Sequence, residues 1–486
     1  MERLNKMKVK NGVVLITYPD SLGGDLEGLQ YCMEHYFREQ FRGIHILPFF
    51  PSTGDRGFAP VCYDQVEPAF GDWEQIRSLE RSWEIYCDIM VNHISTESRE
   101  FQDYLEKGEV SLYREMFLDF EQFWGADYKE LPEYSLLYRR KEADPWCLAV
   151  LGDGKVKKIW NTFRDTQVDL DVTKEVTKDY LRSTIDQILD RGIAGVRLDA
   201  VGYVTKIKGT RCFCVEPQLW DFLEPLNQYF ESRGRLMFTE IHARWEMAKK
   251  LESHGIWTYD FVLPFLTLHA LVSGDARRLV QWLEIAPRNQ FTVLDTHDGI
   301  GVYDADGWVS REEAEQTIGK VEHCLSYAYK ELDQEKKKYW ESYQLYGTYY
   351  SILGEDTERY LCARAIQLFA PGIPMVYYVG LLAGENDVAS MMASEDHRDI
   401  NRHNFSLEEV AEQVKREPVQ RLLKLLAFRN HCPAFDGAIQ VQLENDACFS
   451  IERQGEEETA VLACDLKKGR FSIHHRKQGV WETVRI

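Results

Sequence analysis

Gly195-Val196-Arg197-Leu198-Asp199-Ala200-Val201-Gly202-Tyr203 is a short apolar run that ends on an arginine and an aspartate two residues apart. On a β-strand those two side chains point to the same side. At the mouth of a barrel such a pair presents a carboxylate to a ligand, with a guanidinium beside it to keep it ionised. The same geometry also serves a structural salt bridge at a strand end. The rest of the chain must separate the two.

Similar runs recur on both sides. Residues 13–18 (VVLITY), 43–48 (GIHILP), 86–93 (YCDIMVNH), 236–240 (LMFTE), 259–263 (YDFVL), 291–295 (FTVLD) and 373–379 (IPMVYYV) each read as a strand, and residues 26–41 as an amphipathic helix. With 195–199 this makes eight strands alternating with helical segments. The pattern predicts a parallel sheet closed into a (β/α)8 TIM barrel, an α/β fold. Two spacings are too long for simple βα units. The barrel is therefore expected over 1–93, 173–300 and 349–435, with an inserted subdomain at 94–172 and a second insertion at 301–348 that is helical and charge-rich over 310–337. From 436 to 486 short alternating strands (439–443, 448–453, 460–465, 470–474, 481–486) predict a small C-terminal antiparallel β domain, with Glu456-Glu457-Glu458 as a solvated hairpin turn.

The 486 residues carry a net charge of −21, which argues against nucleic acid or an anionic membrane as a partner. No run approaches the length that spans a bilayer, and the N-terminus lacks the apolar core of a signal peptide. The 11 cysteines are scattered, and only Cys212 and Cys214 lie close together. An odd, dispersed count without CxxC pairs reads as reduced thiols in a cytoplasmic setting, with no structural zinc site expected.

In a barrel of this kind chemistry sits at the C-terminal strand ends. Polar residues fall there repeatedly: Asn92-His93, then Arg197 and Asp199, then Glu240 with His242, then Asp295-Thr296-His297-Asp298. Singly, each has an ordinary explanation as a cap or a salt bridge. Carboxylates and histidines together at successive strand ends point to a catalytic site.

Over nearly its whole length the chain resembles the α-amylase superfamily (glycoside hydrolase family 13), and within it the sucrose phosphorylase branch. The resemblance rests on residues 12–24 (GVVLITYPDSLGG), 46–60 (ILPFFPSTGDRGFAP), 91–95 (VNHIS), 195–203, 240–242 (EIH), 292–302 (TVLDTHDGIGV), 371–387 (PGIPMVYYVGLLAGEND) and 399–403 (DINRH). It implies Asp199 as nucleophile, Glu240 as general acid/base and Asp298 as the carboxylate stabilising the transition state. The chemistry is consistent: retaining transfer needs two carboxyl groups roughly 5 Å apart. Arg197 would keep Asp199 ionised, while neighbouring negative charge would raise the pKa of Glu240.

The resemblance further implies that Asp55 and Arg398 grip the far side of a glucosyl ring, with His93 and His297 as hydroxyl partners. Phe58 and Phe163 would wall that subsite, core packing being the alternative, and Gln167 and Gln344 would line it. It places Arg140, Tyr203, His242 and Tyr343 around acceptor and phosphate, although Arg139-Arg140-Lys141 also reads as a solvated loop. A guanidinium gives the charge-assisted hydrogen bonds that phosphate needs on an acidic protein. The chain departs from the branch in its acceptor loop, Tyr339-Trp340-Glu341-Ser342-Tyr343-Gln344, where Glu341 replaces the usual Asp and Ser342 a Leu. Met375 also replaces a usual Gln.

The expected reaction is retaining glucosyl transfer from sucrose to inorganic phosphate, with sucrose 6′-phosphate as the alternative substrate. A simple α-glucoside hydrolase is a more distant reading, and an amylase-like transporter subunit more distant still, since all three carboxylates are present. No cofactor and no metal ion are expected, Asp88 and Asn92 being read as structural. The oligomer expected is a monomer or homodimer.

Overall fold

Strands covered by helices on one face and packed side chains on the other lose contact with water on both, and the barrel strands are accordingly almost wholly buried and rich in apolar residues. A computed structural model describes residues 11–322 and 344–486. Its strands in chain order begin with β1 (Val14–Thr17), β2 (Gly43–Ile46) and β3 (Glu84–Met90). The first insertion holds β4 (His93–Ser95), β5 (Trp146–Val150), β6 (Val156–Trp160) and β7 (Gln167–Asp169). Then come β8 (Gly195–Asp199), β9 (Leu236–Thr239), β10 (Trp257–Asp260) and β11 (Gln290–Thr292). A two-residue pair, β12 (Ile300–Gly301) and β13 (Gln344–Leu345), precedes β14 (Ile373–Tyr377). The C-terminal sheet is β15 (Ala438–Asn445), β16 (Cys448–Gln454), β17 (Glu458–Asp465), β18 (Arg470–Lys477) and β19 (Val480–Val484).

Eight of these close a barrel in the order β1-β14-β11-β10-β9-β8-β3-β2, and β15 to β19 form a separate antiparallel meander. The eight expected barrel strands and the C-terminal sheet are all present. By contact density the chain divides into two compact units, one containing Ile46–Ile241 and the other Val9–His45 with His242–Ile486.

Several strand ends differ from the sequence-based expectation, for local reasons. The run 259–263 leaves the sheet at Asp260, whose carboxylate accepts the N–H groups of Val262 (3.1 Å) and Leu263 (2.9 Å) and so starts the buried helix Val262–Ser273. Burial lifts the Asp260 pKa to about 6 even against these hydrogen bonds. The run 373–379 stops at Tyr377, because Tyr378–Leu381 is a helical turn. His93 is not the end of β3 but the start of β4, paired antiparallel with β7 so that His93 faces Asp169 and Ser95 faces Gln167. Asp295 lies beyond β11 as a buried partner of Arg364, whose Nη2 is 2.7 and 2.8 Å from its two oxygens.

Within the acidic run at 456–458, Glu456 and Glu457 form the exposed turn between β16 and β17, as expected. Glu458 opens β17 and is only 8% exposed, so it is not part of a solvated turn. Of the second insertion, the helix Arg311–Val321 is described, capped by Ser310 and Glu313 in a reciprocal box. The rest of the expected helical stretch lies outside the described residues. Among those residues no helix is long and apolar enough to cross a membrane.

Candidate active site

In the unit containing Ile46–Ile241 the decisive geometry is the parallel pairing of β8 with β3 and β9. Asp88 pairs with Arg197, Met90 with Asp199 and Leu198 with Thr239. The next step of that register sets Asp199 and Glu240 side by side at the C-terminal ends of neighbouring strands. Neighbouring strands lie about 4.8 Å apart, so the spacing that double displacement needs follows from strand pairing. Arg197 Nη1 lies 3.1 Å from Asp199 Oδ1 and also bonds Asp88 Oδ1, with both Arg197 and Asp88 fully buried. Asp88 thereby holds the guanidinium in place beneath Asp199. Glu240 Oε2 accepts the backbone N–H of Ala200 at 3.2 Å.

A tight group drawn from the barrel and the first insertion lies beside Arg197. The Phe58 carbonyl accepts from His93 Nε2 (2.9 Å) and Gln167 Nε2 (2.8 Å). Burial lowers the His93 pKa, favouring the neutral ring. Its Nδ1 has no hydrogen-bond partner among the described residues, which leaves an acceptor for a ligand hydroxyl. Phe163 packs edge-on against His93 at 5.3 Å and against Tyr203 at 5.2 Å, and the Arg197 guanidinium lies over the Phe58 ring at 5.5 Å. Asp55 is 3.5 Å from Arg164.

Arg139, Arg140 and Tyr203 line one small recess together with Tyr138 and Lys206. Lys141 is committed elsewhere, 2.7 Å from Asn161 Oδ1 and 3.0 Å from Asp165 Oδ1. The basic triplet therefore does not act as a block.

In the unit formed by Val9–His45 and His242–Ile486 a second group surrounds Asp298. His297 Nε2 lies 3.4 Å from Asp298 Oδ2, while Arg398 and Arg402 lie 3.7 and 3.8 Å from Oδ1. Burial alone would raise its pKa, but His297, Arg398 and Arg402 together hold it well below the usual carboxylate range. Arg402 Nε also donates to the His297 carbonyl at 2.9 Å, which fixes the loop. Arg398 is itself clamped by Asp396 at 2.9 Å. His242 stacks on Phe261 at 3.9 Å; its Nδ1 is 3.2 Å from Asp304 Oδ2 and its Nε2 3.3 Å from Gln344. Glu341 and Tyr343 lie outside the described residues.

Residues 6–286 match the family model described as alpha amylase, catalytic domain. The chain belongs to the α-amylase family. A sucrose phosphorylase of Streptococcus mutans is 42% identical over 462 residues, covering 95% of this chain and 96% of that protein. A sucrose 6(F)-phosphate phosphorylase of Thermoanaerobacterium thermosaccharolyticum is 40% identical over 480 residues, covering 96% and 98%. The crystal structure of a sucrose 6F-phosphate phosphorylase from Thermoanaerobacter thermosaccharolyticum superimposes with a TM-score of 0.92 at 39% identity, covering 99% of this chain and 98% of that one.

Sequence reading of this α-amylase family member missed four supporting residues. Asp304 lies 62 positions from the His242 it pairs with. Arg402 lies inside the DINRH motif, but the resemblance points to Arg398 just before it. Phe261 falls inside the 259–263 run that reads as a strand. Lys206, only 3% exposed at its side chain, sits 2.8 Å from Asp169 Oδ2 and 3.0 Å from Asn92 Oδ1. No local pattern marks it, because lysine usually signals a solvated surface.

Proposed function

We propose that the protein is a retaining glycoside phosphorylase that transfers a glucosyl group from sucrose to inorganic phosphate, giving α-glucose 1-phosphate and fructose. The observation that carries this reading is the register of Asp199 beside Glu240 with Arg197 paired to Asp199, in a chain about 40% identical to two such phosphorylases. Asp199 attacks the anomeric carbon while Glu240 protonates the departing fructosyl oxygen. A glucosyl ester on Asp199 results. A phosphate oxygen then attacks the same carbon from the opposite face and gives its proton back to Glu240 as Asp199 departs, and two inversions give net retention. Asp298, kept anionic by His297, Arg398 and Arg402, accepts hydrogen bonds from ring hydroxyls that strengthen as positive charge grows.

His93, Phe58, Phe163 and Gln167 form the glucosyl subsite, with Asp55, Arg398, His297 and Gln344 contributing to it. Phosphate needs donors on this acidic protein, and Arg140 with Tyr203, together with His242 oriented by Asp304, meet that need. No cofactor or metal takes part in these steps. The barrel and insertion boundaries are assigned as read from the sequence, and the scattered cysteines support a cytoplasmic location.

The second reading, sucrose 6′-phosphate as the substrate, is favoured by the relative at 40% identity and by the exposed Arg139 and Arg140. The deciding experiment compares both sugars, with and without phosphate, by following glucose 1-phosphate release. Sucrose turned over at least as well as its phosphate ester supports the first reading. A clear preference for the ester, lost in Arg139→Ala, reassigns the substrate. Release of free glucose at equal rates without phosphate refutes both.

A further inference from the structure

Cys432 terminates the helix Glu417–His431, Glu458 opens β17 and His475 lies on β18. In the β17–β18 pairing Glu458 stands opposite Lys477 and Ala460 opposite His475. Glu458 and His475 are thus diagonal neighbours on one face of the sheet. The helix end brings the thiol onto that face. Cys432 Sγ is 3.6 Å from His475 Nε2 and 3.8 Å from Glu458 Oε2, and those two atoms are 2.9 Å apart.

These separations approach the edges of a zinc tetrahedron. With Zn–S about 2.3 Å and Zn–N or Zn–O about 2.0–2.1 Å, S···N and S···O edges come to about 3.6 Å and the N···O edge to about 3.3 Å. The surroundings fit as well. His475 Nδ1 faces Glu482 Oε1 at 3.5 Å across the β18–β19 ladder, the carboxylate contact that orients a ligating imidazole. Phe428 packs edge-on against the ring at 5.5 Å. Lys477 takes the other oxygen of Glu458, Oε1, at 3.0 Å and so leaves Oε2 to the cluster. All three ligands are at least nine-tenths buried. None of them belongs to the proposed catalytic machinery.

We propose that Cys432, Glu458 and His475 form a site for a divalent transition metal, zinc in the first place, with water in the fourth position. Thiolate and imidazole select zinc or cobalt(II) over calcium or magnesium. On binding, the Cys432 thiol gives its proton to solvent. The ligands are then a thiolate, a neutral imidazole with its Nδ1–H toward Glu482, and a carboxylate. Such a site ties the helix end at Cys432 to the β17–β18 hairpin.

The test uses the full-length protein, stripped by chelator and dialysis, then titrated with Co²⁺. The expected result is one Co²⁺ per chain with a thiolate-to-cobalt charge-transfer band, displaced stoichiometrically by Zn²⁺. Cys432→Ser should lose the band, His475→Gln should lose stoichiometric binding, and Glu482→Gln should weaken binding about tenfold. Circular dichroism of the stripped variants checks folding, and His475→Gln serves if Cys432→Ser does not fold. No stoichiometric binding by the wild type would overturn the proposal, leaving the contacts as a hydrogen-bonded thiol–carboxylate–imidazole group. So would an unchanged band in Cys432→Ser, or unchanged stoichiometry in His475→Gln.

Discussion

The backbone N–H of Ala200 donates to Oε2 of Glu240 across 3.2 Å, joining the end of β8 to the end of β9. Ala200 reaches this position in a left-handed conformation, φ 53° and ψ 25°. That N–H fixes the orientation of the Glu240 carboxyl group. The same contact holds Glu240 beside the residue that follows Asp199 in the chain.

From this arrangement, Glu240→Gln should slow phosphorolysis of sucrose by about 10²–10⁴-fold. An α-glucosyl fluoride, whose leaving group needs no proton, should lose far less. Steady-state rates on both substrates measure the difference. Equal losses would remove Glu240 from acid catalysis, and appreciable turnover by Asp199→Ala would remove the covalent intermediate.

The cations around Asp298 make a pH prediction. A carboxyl whose folded pKa is depressed adds stability that is fully present above its unfolded value, about 3.9, and is lost as pH falls toward the folded value. The stability advantage of the wild type over Asp298→Asn should therefore shrink as the pH is lowered from about 5 to about 3. Urea unfolding midpoints across that range report it. A pH-independent difference contradicts the assignment.

Lys206 makes a prediction about metals near the catalytic strands. Asp88 already holds the Arg197 guanidinium, and Asn92 Oδ1 accepts from Lys206. Chelation followed by added Ca²⁺ should leave the phosphorolysis rate unchanged, and restoration by Ca²⁺ of a lost activity would show otherwise. Lys206→Met leaves Asp169 buried without its ammonium partner. It should cost about 3–5 kcal/mol of stability, measured by denaturant titration.

Gly380 is required by close approach. A Cβ built there would lie 1.8 Å from Arg364 Nη2 and 2.4 Å from Asp295 Oδ2. Gly380→Ala must push apart a buried ion pair, so a loss of about 3 kcal/mol or more is expected. An unchanged unfolding midpoint would mean that the helix turn Tyr378–Leu381 shifts freely.

The local pattern carried much of the fold. Apolar runs bounded by turn residues located all eight barrel strands, and β8 was delimited to the residue. The two-residue spacing of Arg197 and Asp199 set both on one side of that strand, a consequence of backbone geometry that needs no partner. Strand ends were less legible. Residues 261–263 read as a continuation of the strand until the Asp260 carboxylate is seen to start a helix.

What the sequence by itself determined was therefore whatever depends on neighbours a few residues away: strand positions, the Arg197–Asp199 pair and the family motifs. Only the tertiary structure decided which distant groups meet. Asp88 under Arg197, Asp304 behind His242, Lys206 between Asp169 and Asn92, and Cys432 beside Glu458 and His475 depend on strand register and helix placement. Contacts between residues tens of positions apart leave no periodic trace in the chain. Burial then makes their pairing obligatory, because a charge or polar group taken out of water must find a partner.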